Sequence, residues 1–165
     1  MSIGIFFGSD NDTTTDVCER LAKKLGGAEL INVADADADA DAINKFDKII
    51  LASSTWGDGE LQSDWESYAE TLSGANFGGK VVGLLALGDA DSYGSTFCDA
   101  LYHLKNVAKG AKLVGATSTD GYEFDESKGV EGGKFVGLAI DEVNQDDKTD
   151  ERLDAWVAQI KGEGF

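Results

Sequence analysis

The chain predicts an α/β fold, an open sheet of five parallel strands with helices on both faces, and three observations carry that expectation. Ile3 to Phe7, Ile49 to Ala52 and Val81 to Leu87 are near-continuous apolar runs, the pattern of strands covered on two sides. Elsewhere the apolar period lengthens to that of a helix: Val17, Leu21 and Leu25; Leu61, Trp65, Tyr68 and Leu72; Phe97, Leu101, Leu104 and Val107; and Leu153, Trp156, Val157 and Ile160. The segments follow one another closely and crossovers between parallel strands are right-handed. A β-α unit repeated five times therefore winds a doubly wound sheet, for which the strand order 2-1-3-4-5 is one common solution.

The remaining elements follow in order. Leu30 to Val33 and Lys112 to Ala116 are weaker copies of the strand pattern. Ser63 with Glu66 fits a capping box at the start of the second apolar stripe, and Gly26, Gly110 and Gly162 follow the last apolar positions of three helices. Ala34 to Ala42 alternates Ala with Asp and reads as a solvated spacer. Residues 118 to 135 are too long and too aromatic for a simple connection and read as an insertion near the fifth strand. No proline occurs and Gly reaches 21 residues, so turns fall to Gly, Asn, Asp and Ser.

Composition narrows the function. The 165 residues fit one domain spanning 1–165. A formal charge of -17 repels nucleic acid and anionic membrane surfaces and attracts a basic protein. Cys18 and Cys98 have no partner at metal-ligand spacing, which points to a reducing compartment, the cytoplasm. The apolar run at the N-terminus is too short for a signal core or a membrane span and reads as a buried strand.

In such a sheet a ligand sits beyond the strand carboxyl ends, at the switch point between the first and third strands. Three loops meet there. The first, Gly8 to Thr14, offers hydroxyls and free N–H groups at a helix N-terminus, a cradle suited to a phosphate, although Thr13 or Thr14 as a simple helix cap is the plainer reading. It is neither a Gly-x-Gly-x-x-Gly fingerprint nor a Gly-Lys-Ser/Thr phosphate loop, so NAD enzymes and nucleoside triphosphatases lose support. The second, Ser53 to Glu60, places Trp56 beside Gly57 and Gly59, and the third, Gly88 to Gly94, presents Tyr93 among small and acidic residues. Either aromatic alone is as easily a packing residue. Two on adjacent loops at a switch point favour a flat ligand held between them.

At these residues the chain resembles a flavodoxin of the long-chain kind, from Ile3 to Ile160. The most specific segment is Thr55-Trp56-Gly57-Asp58-Gly59-Glu60-Leu61-Gln62-Ser63-Asp64-Trp65, supported by Gly88-Asp89 with Tyr93, Thr119-Asp120-Gly121-Tyr122, and Gly133 to Leu138 running on to Asp141-Glu142-Val143-Asn144-Gln145. The resemblance implies a flavodoxin-like fold holding one non-covalent flavin mononucleotide (FMN). Its phosphate would lie on Ser9, Asp10, Asn11, Asp12, Thr13 and Thr14. Its ring would lie within Ser54, Thr55, Trp56, Gly57, Asp58 and Gly59 on one side and Gly88, Asp89 and Tyr93 on the other, stacked between Trp56 and Tyr93. The family's phosphate loop usually reads Thr-x-Thr-Gly-x-Thr, whereas Asn11 and Asp12 hold its third and fourth places here. Asp tolerates a left-handed backbone, but a carboxylate beside a phosphate weakens its binding. Ser54 stands where many relatives carry proline.

The resemblance further implies a low-potential one-electron carrier, not an enzyme, that shuttles between semiquinone and hydroquinone and works as a monomer. In that likeness the Gly57–Asp58 peptide turns its C=O toward flavin N5, a flip that glycine tolerates. A carboxylate about 10 Å away opposes the second electron by roughly 0.4 kcal/mol at water-like dielectric, so several carboxylates make the lower couple strongly reducing. The implied partners are ferredoxin-NADP reductase-like flavoproteins, and photosystem I or other ferredoxin-dependent enzymes. His103 sits between Leu101 and Leu104 and reads as a surface or boundary side chain with no catalytic role.

Three alternatives are weaker. A flavin-dependent reductase on the same fold needs a second cofactor surface. A signalling receiver needs a phosphorylatable Asp at the end of the third strand, where Ser53-Ser54-Thr55 stands instead. A cofactor-free acidic module leaves the paired aromatics unexplained.

Overall fold

The structure is a computed structural model that describes residues 3–8, 12–35, 39, 41–56, 59–72 and 75–165. The sheet is built from β1 (Ile3–Phe7), β2 (Glu29–Asn32), β3 (Lys48–Trp56) and β5 (Val81–Leu87), with β4 (Glu60–Leu61) folding back as a hairpin on β3. Its order is β2-β1-β3-β5, all parallel, and the fifth place beyond β5 is shared by two short strands. β6 (Lys112–Val114) pairs with the first half of β5 and β10 (Leu138–Ile140) with the second. This is the expected 2-1-3-4-5 arrangement with its last strand cut in two.

The insertion lies in the cut. Between β6 and β10 the chain forms a separate antiparallel sheet of β7 (Thr117–Ser118), β8 (Val130–Glu131) and β9 (Lys134–Phe135), in the order β7-β9-β8. It rejoins the main sheet at Gly137, where any Cβ would stand 2.1 Å from the Leu84 carbonyl oxygen. Only a glycine backbone can pass that close. The strand expected over Lys112 to Ala116 is therefore only the first half of the fifth strand, because its apolar run was too short to show that it resumes at Leu138.

Alternation along the strands divides the core in two. Phe6, Ile49, Leu51, Val82, Leu84 and Ala86 face α2 (Ser63–Thr71) and α3 (Ala100–Val107), with Trp65, Tyr68, Leu101 and Leu104 packed on them. Ile5, Phe7, Ile50, Ala52, Leu85 and Leu87 face α1 (Thr13–Lys24) and α4 (Thr149–Gly162), with Val17, Leu21, Leu153 and Trp156. The two layers explain the continuous apolar runs.

Four expectations need correction. The second β-α unit has no α-helix: among the described residues, β2 is followed by a single 3-10 turn at Ala42–Lys45, since the Ala-Asp run lacks an apolar stripe to bury. Ser63 is the first residue of α2 rather than its cap; the cap is Gln62, whose side-chain oxygen accepts from Asp64 N and Trp65 N. Leu61 and Phe97 precede their helices, lying in β4 and in the loop before α3, because an apolar residue at the right spacing buries equally well just outside a helix. Gly162 is still helical, and the left-handed residue after α4 is Gly164. Gly26 and Gly110 are left-handed as expected at the ends of their helices.

Candidate functional site

Three loops leave the carboxyl ends of β1, β3 and β5 on the same rim and enclose a cleft of 210 Å³. Thr13 and Thr14 line it from the start of α1, Ser54, Thr55 and Trp56 from the end of β3, and Leu87, Gly88, Asp89 and Tyr93 from the end of β5 and beyond. Trp56 is 44% exposed and Tyr93 57% exposed, in a chain whose other two tryptophans are buried. A fold that buries Trp65 and Trp156 completely but leaves an indole and a phenol open on one cleft is offering both to a ligand or a partner.

Each wall has its own support. The Trp56 indole N–H donates to Ser54 Oγ at 2.7 Å, which fixes the ring on the outward side of β3. Gly59 closes the hairpin with φ 92, donating its N–H to the Trp56 carbonyl at 3.1 Å. A Cβ on Gly59 would lie 2.4 Å from Asp99 Oδ2. Gly59→Ala is thus expected to cost roughly 2 kcal/mol or more from backbone strain and displacement of a buried carboxylate, read as a drop in the urea midpoint. Asp99 itself is buried, which pushes its carboxyl pKa up, against the Lys128 N–H bond that favours the charged form.

The third loop hangs from a carboxylate that sequence reading did not single out. Asp141, at the end of β10 and 1% exposed, accepts from Ala90 N, Val143 N, Asn144 N and Asn144 Nδ2. Asn144 Nδ2 also reaches Asp89 Oδ1 at 2.9 Å. Asp89 in turn takes the Ser92 N–H on its side chain and the Tyr93 N–H on its carbonyl, so Tyr93 is positioned from the split fifth strand. Partial burial acts to raise the Asp89 carboxyl, but the bonds from Ser92 and Asn144 hold it below its ordinary range. Asp141 and Asn144 stood in the sequence as part of the Asp141 to Gln145 segment of the resemblance, with no role attached to either.

The first wall is a helix start. Asp12 precedes α1 at φ 64, the left-handed conformation expected of it, and its side chain makes no capping bond; Thr13 and Thr14 are the first two residues of the helix rather than its cap. The first turn of α1 opens on the rim, where Thr13 and Thr14 line the cleft. Arg20, one concavity along with Asp12 and Thr13, is engaged by Glu142 at 2.9 Å, Asp150 at 2.9 Å and Asp16 at 3.3 Å. Its charge is already spent on tying α1 to α4.

A family model for flavodoxin matches residues 5–156. The chain is 50% identical to a flavodoxin of Helicobacter pylori over 160 residues, 97% of this chain and 96% of that one. It is 42% identical to a flavodoxin of a Picosynechococcus species, over 96% and 95% of the two chains. The chain belongs to the flavodoxin family.

Among solved structures, a Fusobacterium nucleatum flavodoxin bound to flavin mononucleotide superposes with a TM-score of 0.91 at 36% identity, covering 98% of each chain. Within this flavodoxin fold Thr13, Thr14, Ser54, Thr55, Trp56, Gly88, Asp89 and Tyr93 come together on one cleft, while Asp12 and Gly59 flank it. Ser9, Asp10, Asn11, Gly57 and Asp58 lie outside the described residues. Leu87, Glu142 and Val143 also line the cleft and were missed as site residues. Val143 is 68% exposed and sits inside a motif that pattern alone gave no role. None of the described helices is long and apolar enough to cross a membrane.

Proposed function

We infer that the chain is an electron carrier that holds one FMN in this cleft, with the ring between Trp56 and Tyr93 and the phosphate at the start of α1. The observation that carries the reading is the pair of exposed aromatics on one cleft that the first two residues of α1, Thr13 and Thr14, also line. That donor set suits FMN: flat walls for the ring, with neutral N–H groups and threonine hydroxyls for a phosphate. The F. nucleatum relative carries FMN on the same fold.

When bound, FMN supplies a ring that takes up and releases electrons singly. The protein's residues do the rest. Trp56 and Tyr93 exclude water from the two ring faces, and the low dielectric they create strengthens every nearby charge. Asp89 stays ionised through its bonds from Ser92 and Asn144, so it places a fixed negative charge at the cleft and disfavours the second electron. Ser9, Asp10, Asn11, Asp12, Thr13 and Thr14 make up the phosphate end, and Ser54, Thr55, Gly57, Asp58, Gly59 and Gly88 the backbone frame around the ring. In this reading the work of the cleft is transfer of electrons, not turnover of a substrate.

The whole chain acts as one domain and as a monomer in the cytoplasm. Its partners are basic redox proteins such as ferredoxin-NADP reductase-like flavoproteins, and photosystem I or other ferredoxin-dependent enzymes where the host has them. The net charge of -17 supports that choice, because opposite charge raises encounter rates. Electron-transfer rate to a basic reductase is expected to fall steeply, by about tenfold or more, as salt rises from 10 mM to roughly 300 mM. A rate indifferent to salt rules out acidic docking.

A further inference from the structure

The chain has one histidine, and its ring is turned onto the hairpin that carries Trp56. His103 Nε2 lies 3.0 Å from the Gly59 carbonyl oxygen, and since that oxygen can only accept, the nitrogen donates. The same glycine gives its N–H to the Trp56 carbonyl and has Asp99 Oδ2 pressed where a Cβ would stand. The far end of the Trp56 turn is thus gripped by α3 from two sides, through His103 and Asp99.

We propose that His103 is a positioning residue that clamps the Trp56–Gly59 hairpin through the Gly59 carbonyl, and that protonating its ring tightens the clamp and with it the hold on FMN. The proposal rests on the FMN reading above. Both ring forms can donate from Nε2, but an imidazolium makes a charge-assisted bond, roughly twice as strong as the neutral one. Imidazole is the side chain whose ordinary change of charge falls between about pH 5 and 8. Charged and titratable groups among the described residues near the ring come from α3, the hairpin and the insertion. Asp99 lies one turn earlier, its carboxyl drawn down by the His103 charge against the rise that burial causes, and the Tyr102 ring stands edge-on at 5.4 Å. Glu60 follows Gly59 in the hairpin, while Lys128 and Glu126 of the insertion act on Asp99 with opposite sign. Lys105, two residues along α3, is paired with Glu131.

The test compares FMN dissociation constants of native protein and His103→Gln at pH 5.5 and pH 8. Glutamine can still donate a neutral bond, and any titration of the FMN phosphate itself is common to both proteins. The ratio of variant to native constant is expected to be roughly three- to tenfold larger at pH 5.5 than at pH 8. A ratio that does not change with pH overturns the clamp. A second measurement uses the unmodified protein, whose single imidazole gives one C2–H resonance. By linkage its titration midpoint must rise when FMN is added, and an unmoved midpoint in FMN-saturated protein overturns the proposal even if the variant does not fold. Native protein that binds no FMN at either pH defeats the reading of the site as well, and so separates the two failures.

Discussion

Replacing Trp56 by alanine is expected to weaken FMN binding by roughly ten- to a hundredfold, the equivalent of about 1–3 kcal/mol for a lost stacking face, while leaving the apoprotein's stability almost unchanged. The two effects separate because the indole is already 44% exposed and its one bond, to Ser54 Oγ, is local. Trp56→Phe, which keeps a flat face, should recover most of the affinity. Trp65 is the contrasting case: fully buried, with its indole N–H donating to the Ala52 carbonyl at 2.7 Å, it should cost about 3–5 kcal/mol of stability as alanine. Fluorescence titration of each apoprotein with FMN, beside urea unfolding, gives both quantities. An unchanged FMN affinity in Trp56→Ala removes the indole from the site.

Asp12→Gly is expected to act in the opposite direction, tightening FMN binding by about tenfold. One cost of binding disappears: a carboxylate at the helix start no longer faces a phosphate at its mouth, a repulsion of order 1 kcal/mol or more at a separation of about 5 Å. The backbone at φ 64 also suits glycine, a relief that acts on apoprotein and complex alike and so shows in stability. Asp12→Asn isolates the first term, since asparagine keeps the left-handed tolerance and loses the charge. If all three proteins bind FMN equally, Asp12 does not face the phosphate.

Most of the architecture was legible because burial writes itself into the sequence. Strands covered on both faces must be apolar where they are covered, and β1, β5 and the Ile49 to Ala52 stretch of β3 are; helices buried on one stripe repeat at 3.6, and α1, α2 and α4 do. What escaped was set by contacts between distant segments. The break in the fifth strand depends on Gly137 passing beside Leu84, and no local pattern announces it. Gln62 caps α2 because its buried side chain finds two free N–H groups, while the Ser-x-x-Glu pattern beside it goes unused.

The cleft divides in the same way. Trp56 and Tyr93 were found because large aromatics in polar loops are conspicuous. The roles of Asp141 and Asn144 were not, since they lie in bonds to a loop some fifty residues away: Asp141 accepts from Ala90 N and Asn144 Nδ2 donates to Asp89. His103 was read as a boundary side chain, which its partial burial bears out, but its bond to Gly59 comes from tertiary packing alone.

The claim on which the account turns is that a flat ring lies between Trp56 and Tyr93, and acrylamide quenching of tryptophan emission before and after adding FMN tests it most directly. Trp65 and Trp156 are shut off from solvent, so the neutral quencher reports on Trp56, undisturbed by the protein's charge. Emission that acrylamide quenches in the apoprotein and no longer quenches after one equivalent of FMN is the predicted result. Protein that takes up no FMN, or takes it up with Trp56 as open to acrylamide as before, contradicts it.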